Sequence, residues 1–127
     1  MTQGYQPSAP QASPACERQF GHTDREYKAL SWRVMAAKFR AECAHVAEHK
    51  SDYGACGFAY IVVTDKTAAR YLAKFSRVFH KRPGGTAEMM VACRNWQSLT
   101  AAERVAQAMA DEFNRSGIAA SIYGRMD

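Results

Sequence analysis

Apolar side chains recur every three or four residues over a long stretch that begins near Thr23 or Asp24 and ends near Lys50. The recurring residues are Trp32, Met35, Phe39, Cys43 and Val46. Charged residues fill the other faces of this stretch. Because such spacing places side chains on one face of an α-helix, it predicts a long amphipathic first helix.

Three later segments have the composition of strands. The run from Phe58 to Val63 is β-branched and aromatic, which predicts a buried strand that starts near Gly57. Further strands are predicted from Met89 to Arg94 and from Ile118 to Tyr123.

The clearest helix boundary signals lie between the second and third strands. Thr100-Ala-Ala-Glu103 has the form of a capping box that opens a helix to Ser116, and Gly117 is placed to end it. The complete order is a long N-terminal helix followed by β-α-β-α-β. This order indicates an α+β or α/β fold in which helices cover a small three-stranded sheet, with right-handed crossovers where neighbouring strands are parallel.

Length and composition predict one globular domain over residues 23 to 127, because a chain of 127 residues can bury an independent core. Residues 1 to 22 contain three of the four prolines and no apolar periodicity, which predicts a flexible arm; whether it orders on binding is left open. The chain has neither a run of about 20 apolar residues nor a secretory signal pattern, so a soluble, cytoplasmic protein is expected. The cysteines are irregularly spaced and indicate reduced thiols: Cys16, Cys43, Cys56 and Cys93.

The positive charge is concentrated in one segment. The chain carries a net charge of +5, and residues 65 to 83 alone contain six Lys or Arg against one Asp, which is also +5. A helix is predicted here, capped by Thr64 or Asp65, running to about His80 and ending before Pro83. Five cations of that helix fall within an arc of about 80°, opposite an aromatic and aliphatic stripe. They are Lys66, Arg70, Lys74, Arg77 and Lys81.

A solvated helix face would also carry charge, but like charges at helical spacing repel when no acid compensates them. The uncompensated row therefore favours an acidic partner. It predicts binding to nucleic acid or to an acidic protein surface, and the sequence does not separate the two.

One motif indicates metal chemistry. His45-Val-Ala-Glu48-His49 matches H-x-x-E-H, in which two histidines hold zinc and the glutamate activates water. Against a zinc-dependent hydrolase stand the short chain, a third ligand as distant as Glu112, and the ordinary placement of histidines near a helix C-terminus. A structural site that adds Cys43 and Cys56 lacks a standard spacing. We therefore predict no catalytic residue, no cofactor and no metal, with His45 and His49 as the metal candidates.

The glycine pairs lack the other residues that define nucleotide-binding loops, so these glycines predict turns. A small-molecule or nucleotide binder is a second possibility, with a pocket near Gly54 to Phe58 or near Arg94 to Trp96.

The segment Asp52-Tyr-Gly-Ala-Cys-Gly-Phe-Ala-Tyr-Ile-Val-Val63 resembles a family of small tailed-bacteriophage proteins whose core carries Cys-Gly-Phe-Ala-Trp-Val. The likeness extends over about the last three-fifths of the chain to Tyr123-Gly-Arg-Met-Asp127. Tyr60 stands where the family typically has tryptophan. The resemblance implies a phage origin and action in a bacterial cytoplasm, and it transfers no enzymatic activity.

Together these observations predict a non-enzymatic phage-encoded binding protein that acts on nucleic acid or on a nucleic-acid-handling host complex. A host-defence inhibitor of the anti-CRISPR or anti-restriction type is one form of it. The sequence leaves the oligomeric state open.

Overall fold

The structure is a computed structural model, which describes residues 23–51, 54–93 and 96–126. The predicted N-terminal arm, residues 1–22, lies outside the described residues, as do Cys16 and Arg94. The described elements are α1 (Asp24–Glu48), β1 (Gly57–Val63), α2 (Lys66–Phe75), β2 (His80–Arg82), β3 (Thr86–Val91), α3 (Leu99–Arg115) and β4 (Ala120–Met126). None of these helices is both long enough and apolar enough to cross a membrane.

Side-chain caps fix the helix boundaries. Thr23 opens α1 with a capping box, in which its hydroxyl accepts from the Glu26 backbone N–H at 3.2 Å. Helix α3 begins at Leu99, and its N-cap lies two residues before Thr100, the cap that the sequence predicted. Its cap is Ser98, whose buried hydroxyl accepts from the Ala101 backbone N–H at 3.2 Å. Ser98 also forms an isolated β-bridge with Cys56, and this tertiary contact fixes the earlier start.

The strands form one four-stranded sheet in the order β2-β3-β1-β4. Every neighbouring pair is antiparallel. With α2 joining β1 to β2 and α3 joining β3 to β4, this is the split β-α-β arrangement of ferredoxin-like folds. The predicted α+β class is therefore confirmed, but the prediction of three strands was wrong, and no neighbouring strands in the described sheet are parallel.

The additional strand comes from the segment that was expected to complete the basic helix. Helix α2 ends at Phe75, and His80–Arg82 pairs with Thr86–Glu88 instead. Gly84 and Gly85 have φ values of 89° and 84°, so they form a tight turn that returns the chain along its own path. The residues before this turn include Val78 and Phe79, which favour strands over helices. A hairpin then supplies the backbone hydrogen bonds that a helix would have made.

The core lies between the sheet and the helices. Strand β1 contributes Ala59, Ile61 and Val63, all fully buried, and α3 meets them with residues that include Met109 and Phe113. Helices α2 and α3 cover this face, and α1 packs outside them, mainly on α3. Within the described residues α1 contacts the two other helices and no strand.

Helix α1 is oriented differently from what its apolar pattern indicates. Its buried residues are Tyr27, Leu30, Val34, Ala37, Glu42 and His45. The residues of the predicted apolar face are largely exposed, with Trp32 at 73%, Phe39 at 57% and Val46 at 46%. Burial of Tyr27, Leu30 and Val34 favours this rotation, and two ion pairs to α3 accompany it. Arg33 reaches Glu112 at 3.5 Å, and Glu48 reaches Arg104 at 2.9 Å.

Candidate nucleic-acid interface

One face of the sheet is uncovered in the part of the chain that the structure describes. Successive side chains of a strand point to opposite faces. In β1 the residues Ala59, Ile61 and Val63 meet the helices, so Phe58 and Tyr60 face the other way and are only half-buried. No described helix packs on their side. Aromatic side chains on the central strand of the sheet are therefore accessible.

These aromatic rings form a cluster across two strands. Tyr60 and Tyr123 are direct partners in the β1–β4 register. Their rings stack with centroids 4.8 Å apart and planes inclined by 15°. Phe58 meets Tyr60 edge-on at 5.6 Å. On the other side of Tyr60, its β3 partner Met90 is 56% exposed. We call Phe58, Tyr60, Tyr123 and Met90 the aromatic platform.

Cationic side chains lie beside the aromatic platform. Arg125 pairs with Phe58 in the β1–β4 register, and Arg82 lies on the edge strand β2. Beside the platform is a depression of about 510 Å³. Its lining includes Tyr60, Arg77, His80, Arg82, Glu88 and Met90. Arg77 and Arg125 are exposed and form no ion pair with the described acids, so their charges are available to an anionic ligand.

Glu88 is the acidic residue beside the platform, and neighbouring side chains form an ion pair and a hydrogen bond with its carboxylate. Arg82 Nε lies 3.5 Å from its carboxylate, and the Tyr123 hydroxyl donates to it at 3.3 Å. Burial raises the pKa of Tyr123 above its ordinary value of 10.0, and the nearby Glu88 charge raises it further. Tyr123 is therefore neutral at physiological pH, and its ring is held in the stack by a hydrogen bond.

The five cations predicted as one site lie on three different segments. Lys66, Arg70 and Lys74 are on α2, Arg77 follows the end of that helix, and Lys81 is in β2. All five are exposed. The continuous row of the sequence prediction was wrong, because the helix that would have aligned them ends at Phe75. Only Arg77 borders the depression on the open sheet face.

The H-x-x-E-H segment is part of the contact between α1 and α3. Arg104 donates to both carboxylate oxygens of Glu48 at 2.9 Å and lies 3.3 Å from Nδ1 of buried His45. The hydrogen bond and charge of Arg104 hold the pKa of Glu48 below its ordinary value of 4.5. Since Arg104 already engages Glu48, this carboxylate is poorly placed to act as a base. Residues 23–51, 54–93 and 96–126 contain no group of three or more His, Cys, Asp or Glu that could hold a metal.

Glu112, considered as a distant zinc ligand, belongs to a different cluster. It pairs with Arg33 at 3.5 Å and with Arg115 at 3.2 Å. Arg33 is twelve residues from His45 on the same helix, or about 18 Å at the helical rise. Glu112 therefore does not complete a site with the two histidines.

The region considered for a small-molecule pocket is shaped by close packing. A Cβ at Gly57 would collide with the Arg125 carbonyl oxygen and lie 3.2 Å from Leu99 Cβ, so this glycine permits the close approach of β1 to β4. At the other proposed edge, Trp96 packs edge-on against His45 at 5.0 Å. These contacts give the residues structural roles in the sheet and in the α1–α3 contact.

Sequence reasoning missed the platform, although one signal was present. The run Phe-Ala-Tyr-Ile-Val-Val alternates between large aromatic and other apolar residues at its start, which fits one packed face and one aromatic face. The pairing of Tyr60 with Tyr123 has no local signal, because 63 positions separate the two residues.

Comparisons with protein-family models, with curated proteins and with solved structures found no match. The likeness of residues 52 to 63 to tailed-bacteriophage proteins therefore stays a prediction from the sequence.

Proposed function

We propose that this protein is a non-enzymatic binding protein for single-stranded nucleic acid and that it binds on the open face of its sheet. The observation that carries the proposal is the stacked Tyr60–Tyr123 pair on the uncovered sheet face. Arg77 and Arg125, which form no ion pair with a described acid, lie nearby. Every base has a π-face, and each phosphate carries a negative charge. A platform of aromatic rings within a cationic border suits both groups at once.

A single strand fits this surface better than a duplex does. Bases in a duplex are stacked on one another, whereas unpaired bases can lie flat on aromatic side chains. Four-stranded sheets of RNA-recognition domains bind bases in this way, on aromatic residues of their strands. That parallel concerns architecture only; the side chains named above carry the argument.

The phage resemblance gives the proposal a biological setting. In a bacterial cytoplasm, a protein of this kind would act on nucleic acid or on a host complex that handles it. Inhibition of host defence, of the anti-CRISPR or anti-restriction type, is one form of this proposed function.

The test is fluorescence anisotropy with labelled twelve-nucleotide single strands of RNA and DNA and with a duplex of the same sequence. We expect binding to single strands that weakens with salt, with a log-log slope of about −2 for about three phosphate contacts. Tyr60→Ala and Tyr123→Ala should each weaken binding by about tenfold or more, because stacking contributes about 1–3 kcal/mol per base. Arg77→Gln should reduce the slope by about 0.7.

Phe39→Ala is the matched control, since Phe39 is also an exposed aromatic residue but lies on α1, away from the sheet. It should bind as the parent chain does. Absence of binding to either single strand at low salt would rule out the proposed function. If Phe39→Ala and Tyr60→Ala weakened single-strand binding equally, the sheet face would not be the binding site.

A further inference from the structure

The outer face of α1 carries large apolar side chains that no described residue covers. Trp32, Met35, Phe39 and Val46 are 38% to 73% exposed. They recur at helical spacing over fourteen residues, so they form a straight stripe about 21 Å long. We call these four residues the α1 stripe. Exposed apolar residues are common singly, but a contiguous row of this size is typical of an interaction surface.

The α1 stripe continues into a groove between α1 and α2. A depression of about 570 Å³ lies there, and the aromatic residues that line it are Trp32, Tyr71 and Phe75. Tyr71 is fixed between two rings, stacking on Tyr27 at 5.0 Å and meeting Phe75 at 4.6 Å. The groove is therefore a preformed apolar surface that can receive a bulky side chain from a partner.

Cations border both the groove and the stripe. Asp24 is the acid among the described residues that line the groove. Of the cations, Arg25 and Lys28 line the groove, Lys74 lies beside it over the Phe75 ring at 5.3 Å, and Arg40 follows Phe39 on α1. All four are exposed, and none forms an ion pair with an acid in the described part of the chain. Arg33 and Lys38 on the same helix, in contrast, are paired with Glu112 and Glu42. The cations of this region that have no ion pair with a described acid therefore lie next to the apolar surface.

We propose that the α1 stripe and its groove bind an acidic amphipathic helix of a partner protein. An apolar row bordered by cations is complementary to a helix with apolar residues on one face and Glu or Asp beside them. The 21 Å length matches about four turns of such a helix. This surface is separate from the sheet face, so the proposal goes beyond nucleic-acid binding and does not depend on it.

Two other occupants fit less well. A nucleic-acid strand would match the cations and the rings of Trp32 and Phe39, but Met35 and Val46 offer no ring on which a base can stack. A second copy of this chain would bring the same cations, which pair with no described acid, against each other, and this is unfavourable. Of these three ligands, only the acidic amphipathic helix is complementary to both the apolar stripe and the cations that border it.

The experiment uses a fluorescein-labelled peptide of sixteen residues, built from Leu on one helical face and from Glu and Ala elsewhere. The matched peptide has Lys in place of every Glu. We expect the acidic peptide to bind the full chain at least tenfold more tightly than the basic peptide. Trp32→Ala and Phe39→Glu should each weaken that binding by at least tenfold, whereas Tyr123→Ala on the sheet face should leave it unchanged.

Lys28→Glu should slow association of the acidic peptide more than it changes dissociation, because rim charges act mainly on encounter. Circular dichroism checks that each variant is folded. The proposal is overturned if both peptides bind equally or if the stripe variants bind normally. It is overturned equally if a single-stranded oligonucleotide displaces the peptide from Trp32, or if sedimentation shows a dimer that Phe39→Glu dissociates.

Discussion

At the scale of single residues, Tyr123 shows how the sheet face is ordered. Its ring stacks on Tyr60 while its hydroxyl donates to Glu88, so two strands hold one side chain in place. Arg82 partly neutralises the same carboxylate from the edge strand. An ordered ring loses less conformational entropy when a base stacks on it, which favours binding.

The pKa of Tyr123 tests this arrangement. Burial raises it, and the Glu88 carboxylate raises it further, so Glu88→Gln should lower it part of the way toward 10.0. Because the folded-state value is the higher one, this tyrosine contributes stability below its ordinary pKa, and the contribution is lost as pH rises through the folded-state value. Tyrosinate absorbance, with Tyr123→Phe to identify the transition, measures the shift. An unchanged transition in Glu88→Gln would contradict the hydrogen bond.

At the scale of elements, the hairpin β2–β3 decides how the basic segment is used. It takes residues 80 to 82 out of the predicted helix and places Arg82 and His80 at the open sheet face. Lys66, Arg70 and Lys74 stay on α2. The basic residues of one sequence segment are thereby divided between the open face of the sheet and the surface of α2.

The turn of that hairpin requires a left-handed backbone at Gly84, which has φ 89° and no atom near its missing Cβ. Gly84→Ala should therefore destabilise the protein by about 1 kcal/mol through backbone strain alone. Gly84→Asn should cost less, because asparagine tolerates this conformation better than alanine does. Urea unfolding measures both variants. Equal stability of Gly84→Ala and the parent chain would indicate that the hairpin is absent.

Helix α1 has one buried and one exposed apolar face, and substitutions on these two faces should differ in their effect on stability. Leu30 is 3% exposed and Phe39 is 57% exposed. Leu30→Ala should lower the free energy of unfolding by about 2–5 kcal/mol, as for other buried leucines. Phe39→Ala should change it by less than about 0.5 kcal/mol. Denaturant unfolding of the two variants decides the rotation of α1, and the reverse ranking would place the α1 stripe in the core.

At the scale of the whole molecule, the two proposed binding surfaces lie on opposite sides of the α2–α3 layer. The aromatic platform is on the uncovered face of the sheet, and α1 packs on the helices without contacting a strand. Binding at one surface leaves the other accessible. This arrangement suits a protein that connects a nucleic-acid strand to a second protein.

We therefore expect the two ligands to bind together. With the protein saturated by the acidic peptide, a labelled single strand should bind with its affinity changed by less than about threefold, equivalent to about 0.6 kcal/mol of coupling. Anisotropy titrations in both orders of addition measure this coupling. As controls, Tyr60→Ala should weaken only the binding of the single strand, and Phe39→Glu only the binding of the peptide. Mutual exclusion of the ligands would mean that they share one surface.

The sequence by itself determined the features that depend on neighbouring residues. The start of α1 near Thr23, the cap of α2 at Asp65 and the end of α3 before Gly117 are local hydrogen-bonding and backbone preferences. The strand from Gly57 to Val63 follows in the same way from its β-branched and aromatic composition. These are the predictions that the structure confirms.

Only the tertiary structure decided which surfaces these elements expose. Tyr60 faces open space because both helices pack on the other side of β1, and Trp32 is exposed because α1 buries Leu30 and Val34 on its opposite side. Residues 80 to 82 became a strand because β3 offered a partner. The first two outcomes depend on contacts between residues distant in the chain, whereas the hairpin partners are only four to eight positions apart. Helical spacing and charge describe a segment by itself, so they give its apolar and charged faces but not the neighbour that each face meets.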